Sequence, residues 1–206
     1  MKNETDKTLV IIGAGGHAKV CYEIAQKMNQ WSNFIFLDDN PVNGFFNISG
    51  SIQEFHKYSA CDFFIAIGSN VKRQQLFHEL KEQALTIVTL IHPRAVISKT
   101  AKIGEGTVVM AGVVVDADAN IGQACILNSG CLIGHDALIE NYVHISPGAN
   151  LAGTVYIGES TWIGVSATVI NNIQIGSHII LGAGATAIND LINSGTYIGV
   201  PAKEKK

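Results

Sequence analysis

Residues 121–163 read IGQACILNSGCLIGHDALIENYVHISPGANLAGTVYIGESTWI. Every sixth residue from Ile121 is aliphatic: Ile121, Leu127, Ile133, Ile139, Ile145, Leu151, Ile157 and Ile163. The same frame reaches back through Val115, Val109, Ile103 and Ile97 to Ile91, and forward through Val169 and Ile175 to Leu181, with no insertion. Four residues after each anchor stands a small or aliphatic side chain, as at Ala119, Cys125, Cys131, Ala137, Val143 and Ala149. The residue just after the anchor is often glycine, as at Gly104, Gly122, Gly134, Gly158 and Gly164. A helical face recurs every ~3.6 residues, so a strict period of six excludes a helix, and alternating strands would need turns of variable length. The period fits one short strand and one turn, wound as a solenoid. The large anchor points inward, the small residue packs beside it, and glycine permits the turn.

Outside the repeat the chain has a different texture. Of 206 residues, 47 % are apolar and 15 % charged, with a net charge of -3, which argues against disorder and against a nucleic-acid or anionic-membrane partner. The stretch Met1–Thr8 is polar, without the apolar segment of a signal peptide, and the aliphatic run Val108–Val115 is too short to span a bilayer. Cys21, Cys61, Cys125 and Cys131 show no C-x-x-C spacing and read as reduced thiols of a cytoplasmic protein. Cys125 and Cys131 fall on the small inward position and read as core. Only nine charged residues occur in the repeat region, a poverty that suggests burial against copies of the same chain.

Residues 1–90 form a second domain, and residues 91–206 belong to the solenoid. Leu9–Ile12, Phe34–Leu37, Phe63–Ile67 and Thr86–Leu90 read as strands, with helical patterns to about Met28 and from Val71 to about Gln83. Strand and helix in alternation imply a small parallel α/β, Rossmann-like domain. Gly13-x-Gly15-x-x-Ala18 follows the first strand and opens a helix, a turn in which the backbone can approach a pyrophosphate. Asp38 and Asp39 end the next strand, where a carboxylate can accept from a ribose or a base. A tight βα turn and an NAD site are the competing readings. The solenoid that follows, in place of a second nucleotide half, disfavours NAD.

The combination of Ile12-Gly13-Ala14-Gly15-Gly16-His17, Phe36-Leu37-Asp38-Asp39, Ala66-Ile67-Gly68, Gly134-His135-Asp136, His144 and the terminal Gly199-Val200-Pro201-Ala202-Lys203 resembles the hexapeptide-repeat sugar acyltransferases of the sialic-acid and bacillosamine type (NeuD/PglD-like). It is most similar to the N-acetyltransferases acting on UDP-4-amino-4,6-dideoxy-N-acetylglucosamine. The resemblance implies a left-handed parallel β-helix, three hexads to a coil, residues eighteen apart stacked, about five coils, and a homotrimer with active sites at its subunit interfaces. It implies acetyl-CoA as co-substrate, a nucleotide sugar as acceptor, and no metal. It makes His135 the general base with Asp136 behind it, Gly153 the donor to the thioester oxygen, and His144, Val165 and Ala183 contacts to the cofactor. Gly15, Gly16, His17, Asp38 and Asp39 would hold the nucleotide sugar. Asp136 stands where the family usually has glutamate, which leaves open whether it reaches the imidazole directly or through water. Ala183 stands in place of a glycine, a change that a main-chain contact tolerates.

The chemistry suits these residue types. An amine attacks a thioester only with its lone pair free, and imidazole, with an ordinary pKa of about 6.5, can take the proton. A carboxylate on the other ring nitrogen fixes the tautomer and supports the imidazolium. A backbone N–H stabilises the tetrahedral oxyanion. His92 and His178 lack an acidic neighbour and read as surface or turn residues, while His56 and His78 read as solvated helix faces. Tyr142 and Trp162 could edge a cofactor groove or a trimer contact, and Lys203, Lys205 and Lys206 read as a solvated tail. A sugar O-acetyltransferase of the sialic-acid type would use the same base. A zinc enzyme would need three histidines, and no third accompanies His135 and His144. A non-catalytic nucleotide-sugar scaffold would bind the nucleotide without turning over CoA.

Overall fold

The computed structural model describes residues 7–40 and 45–205 and contains two compact units, Met1–Pro93 and Arg94–Lys206. In the first unit, strands β1 (Thr8–Ile12), β2 (Asn33–Leu37), β3 (Ile48–Gly50), β4 (Asp62–Ile65) and β5 (Thr86–Ile87) form a parallel sheet in the order β3-β2-β1-β4-β5. Leu9, Val10, Ile11 and Ile12 are fully buried, as an apolar run becomes a central strand covered on both faces. Helix α1 (Gly16–Met28) buries Ala18, Cys21, Ile24 and Ala25, one apolar stripe at helical spacing, and stops at Asn29 in the left-handed conformation. Helix α2 (Asn70–Glu82) starts at Ser69, whose hydroxyl accepts from Lys72 N–H, and buries Arg73, Leu76, Phe77 and Leu80.

The sequence reading found the central elements and missed the edge. β3 and the 3₁₀ helix Ile52–Tyr58 lie in a stretch without periodicity, and β3 pairs with β2 across a register shift at Phe36/Leu37. β4 ends at Ile65, two residues early, because Ala66–Gly68 leave the ladder once Ala66 N–H has reached Ile12 O at 2.8 Å. The strand expected at Thr86–Leu90 divides into Thr86–Ile87 and a separate Leu90–Ile91.

The second unit is a left-handed parallel β-helix. Each hexad gives a two-residue strand, and residues eighteen apart pair in parallel, as in Ile121↔Ile139, Leu127↔Ile145 and Ile133↔Leu151. Three sheets result, and the anchors Ile133, Ile145, Leu151, Ile157 and Ile163 are all 0 % exposed. Each such burial contributes on the order of 2–3 kcal/mol. Cys125 and Cys131 are buried beside them, as expected. Thr107 occupies the same small position. Its hydroxyl donates to Gly122 O at 2.9 Å and accepts from Cys125 N at 2.9 Å, so its polar atom is satisfied inside the core.

The turns correct one expectation. The glycines after the anchors do not make the bend; they let neighbouring coils stack. A methyl group on Gly134 would lie 2.6 Å from Ala152 C and 2.7 Å from Gly153 N. The left-handed residue is the third after the anchor in every hexad from Ile103 to Leu181, whether glycine (Gly130, Gly148) or not (Asp118, Asp136, Tyr142, Ser166, His178).

Candidate active site

His135 owes its position to the hexad frame. Ile133 is buried in the core, Gly134 admits the adjacent coil, His135 follows on the outside, and Asp136 turns the chain at φ +57°. Aspartate tolerates this conformation better than most residues. The turn brings its carboxylate back onto its neighbour: His135 Nδ1 donates to Asp136 Oδ2 at 2.7 Å, a direct contact. The two side chains are 64 % and 57 % exposed, open to a ligand.

The opposite edge of the ring lies against Gly153, one coil further along. A methyl group there would stand 2.6 Å from His135 Cε1 and closer still to Nε2. Gly153 is therefore glycine because an imidazole occupies the space of its side chain. Thr154 N–H donates to His135 O at 2.8 Å, which ties the two coils beside the contact, and the Gly153 carbonyl accepts from Asn172 N–H of the following coil at 3.1 Å. The Gly153 N–H itself makes no hydrogen bond among the described residues. The Nε2 edge of the imidazole and the Gly153 N–H thus lie together at one corner of the solenoid.

His144 lies on the strand His144–Ile145, in a different sheet. It stacks on Trp162 with ring centroids 5.4 Å apart and planes 5° from parallel, and Asn128 donates to its Nε2 at 3.3 Å. Trp162 Nε1 donates to Ser146 Oγ at 2.7 Å and the residue remains 46 % exposed. Val165 and Ala183 stand exposed, one coil apart, at the corner that follows this sheet. His135, Asp136 and Gly153 are thus gathered at one corner of the prism, and Val165 and Ala183 at another. Asn128 is a contact that sequence reading missed. Tyr142 is buried at a left-handed turn, and His178 is an exposed one. His56 and His78 are exposed on their helices. Lys203 joins the short strand Lys203–Glu204, and Lys206, like Met1–Asp6, lies outside the described residues.

The N-terminal unit carries a cavity of about 330 Å³ lined by Gly13, Gly15, Gly16, His17, Asp38, Ile52, Ala66, Ile67, Gly68 and Lys72. It opens at the carboxyl ends of β1 and β4, where the strand order reverses and ligands of such sheets bind. Four of the five residues assigned to the nucleotide sugar meet here. The fifth, Asp39, accepts from Ile52 N–H at 2.9 Å and so starts the 3₁₀ helix, outside the cavity lining. Asp38 holds the glycine turn, accepting from Ala14 N–H at 2.6 Å and from Asn40 N–H at 2.8 Å. His17 Nε2 sits 3.6 Å from Cys21 Sγ. Burial, and then the Arg73 guanidinium, lower the His17 pKa to about 4, so it is neutral at physiological pH. Sequence reading missed Ile52, Lys72 and Arg73.

Among the described residues no three His, Cys, Asp or Glu side chains gather as a metal set, and no helix is long and apolar enough to cross a membrane. The family profile described as the PglD N-terminal domain matches residues 8–80. The UDP-N-acetylbacillosamine N-acetyltransferase of Bacillus subtilis is 38 % identical over 112 residues, which are 51 % of this chain and 52 % of that protein. The match thus spans about half the length of that curated relative. PerB from Caulobacter crescentus, solved in complex with CoA and GDP-perosamine, is 37 % identical with a TM-score of 0.91 over 97 % of each chain. The acetyltransferase domain of PglB from Neisseria gonorrhoeae, solved with acetyl coenzyme A, is 36 % identical with a TM-score of 0.93 over 97 % of this chain and 100 % of that one.

Proposed function

The chain belongs to the hexapeptide-repeat sugar acyltransferases of the NeuD/PglD type, and from that premise we propose that it moves the acetyl group of acetyl-CoA onto the amino group of a nucleotide-linked 4-amino-4,6-dideoxy sugar, with UDP-4-amino-4,6-dideoxy-N-acetylglucosamine as the prototype. The observation that carries this reading is the His135 imidazole, held by Asp136 at 2.7 Å and lying over the backbone of Gly153. Nδ1 carries the proton given to the carboxylate, so Nε2 presents a lone pair. Nε2 takes the proton of the incoming amine as its nitrogen attacks the thioester carbonyl. The Gly153 N–H donates to the oxygen that becomes anionic. The imidazolium, supported by Asp136, returns the proton to the departing CoA sulfur as the C–S bond breaks, and the ring is neutral again. No acyl-enzyme forms.

The nucleotide sugar sits in the N-terminal cavity, with its phosphates over the Gly15–Gly16 turn and the start of α1. His144, Val165 and Ala183 face the CoA chain. Because Val165 and Ala183 occupy a different corner of the prism from His135, a complete site needs a second copy, and the working form is a homotrimer with sites between subunits. The reaction belongs to the cytoplasm and to bacterial glycan assembly. The test is an assay of the purified chain with acetyl-CoA and, in turn, UDP- and GDP-linked 4-amino sugars and a sialic acid. Thiol release matched by an N-acetylated nucleotide sugar is expected. Release with the sialic acid alone would establish O-acetylation instead, and release with none would overturn the assignment.

A further inference from the structure

The glycines around the N-terminal cavity are of two kinds. Gly13 is demanded by the fold: its φ is +105°, and a methyl group there would lie 2.8 Å from Ala66 O. Gly15, Gly16 and Gly68 are not. None has a left-handed φ, and a methyl group built on any of them meets nothing within 4 Å. All three line the cavity. A glycine that neither backbone conformation nor packing requires lowers stability relative to alanine, by about 0.5–1 kcal/mol in a helix. Three of them around one cavity leave room for something to come close to the main chain. Gly15 and Gly16 belong to the first βα turn, already read as a phosphate turn. Gly68 belongs to the second, after β4, on the other side of the crevice.

Behind Gly68 stands a buried cation. Arg73, on the first turns of α2, is 1 % exposed and is among the largest fully buried side chains of the described residues. Its Nη1 donates to Ile67 O at 3.0 Å and to Gly68 O at 3.2 Å, and its Nη2 donates to Asn70 Oδ1 at 2.8 Å. A planar fork is well shaped to hold two consecutive carbonyls and an amide at once; a lysine ammonium is not. Lys72 lines the same cavity, and the lowered pKa of His17, due to burial and then to Arg73, fits a positive potential there. Asp38 is the carboxylate on the rim, and both its oxygens already accept backbone N–H groups.

We propose that the Ile67–Asn70 turn is the second wall of this site, that the diphosphate of a nucleoside diphosphate sugar packs directly on the Gly68 backbone, and that Arg73 is the positioning residue that holds this wall from behind. This rests on the reading of the cavity as the nucleotide-sugar site. The ligand lies between two glycine turns, one at each helix start, with Lys72 beside it. Arg73 never touches the ligand; it fixes the carbonyls of Ile67 and Gly68 so that the turn keeps its shape.

The experiment is titration of UDP and of GDP into the purified full chain and into Gly68→Ala and Arg73→Lys, with thermal unfolding of each and acetyl-transfer kinetics. Gly68→Ala fills only open space, so its melting point is expected at or above that of the parent while the nucleotide Kd weakens at least tenfold. Arg73→Lys keeps the charge and loses the fork. It is expected to raise KM for the nucleotide sugar about tenfold, leaving KM for acetyl-CoA and kcat within twofold. A parent that binds neither nucleotide overturns the reading of the cavity and this proposal with it. A parent that binds while Gly68→Ala binds equally well overturns the second wall alone. An Arg73→Lys effect spread equally over both substrates assigns Arg73 to folding and overturns its positioning role.

Discussion

The two units of this chain bring polar groups together by opposite means. In the solenoid the frame comes first. Each hexad fixes an inward anchor, an outward residue two positions on and a left-handed residue after that, and His135, Asp136 and Gly153 fall on those slots. The residue types change while the geometry stays. In the α/β unit there is no repeated slot. Its cavity exists because two turns and one strand end, far apart in sequence, converge where the sheet order reverses. A periodic scaffold makes function a matter of which residue occupies a given slot; an aperiodic one makes it a matter of which loops meet.

The contrast is broken most forcefully at two neighbouring coils. Gly153→Ala pushes its new methyl group into an exposed ring that can swing away, so the fold should survive. If His135 is the base and the Gly153 N–H the oxyanion donor, as proposed, transfer is expected to slow by about 10²–10³-fold, measured as kcat with both substrates saturating. A loss below threefold would show that the ring contact is incidental. Gly134→Ala sets its methyl group against the backbone of Ala152 and Gly153, which cannot swing. It is expected to cost about 2–3 kcal/mol in chemical denaturation, and an unchanged midpoint would refute the stacking role of these glycines.

What the sequence showed follows the same division. Sixfold spacing picked out the anchors, while three hexads to a coil, the eighteen-residue stacking and Gly153 came from the resemblance to the hexapeptide-repeat acyltransferases, with which the step from His135 agrees. The left-handed slot was illegible because it accepts Asp, Ala, Tyr, Thr, Ser, Asn, His and Gly alike; the frame imposes it, whatever the side chain. In the N-terminal unit, apolar runs marked the central strands, while β3 and the 3₁₀ helix, which lack a period, went unseen. Arg73 reads in sequence as one charge among the polar residues of Val71-Lys72-Arg73-Gln74-Gln75, yet it is buried, because only the meeting of α2 with the turn after β4 encloses it. Asp38 and Asp39 look equivalent in sequence. The chain direction after β2 gives one to the glycine turn and the other to the 3₁₀ helix.

A smaller effect separates the units by pH. The folded pKa of His17, at about 4, lies below the ordinary value of 6.5. Between those values the unfolded chain binds a proton that the folded chain does not, so stability is greatest above pH 6.5 and falls as the pH drops toward 4. By pH 5 the expected loss is about 2 kcal/mol. It should appear in the unfolding of the N-terminal unit and be flattened by His17→Gln. An identical pH profile for the variant would contradict it.

His135→Ala, assayed for acetyl transfer beside a titration of nucleotide, addresses the chemistry at its source. If Nε2 of this ring takes the amine proton, kcat falls between about 10² and 10⁴-fold while the nucleotide Kd, set in the other unit, stays within twofold of the parent. A kcat within a few fold of the parent would contradict the account and move the chemistry away from the His135–Gly153 corner.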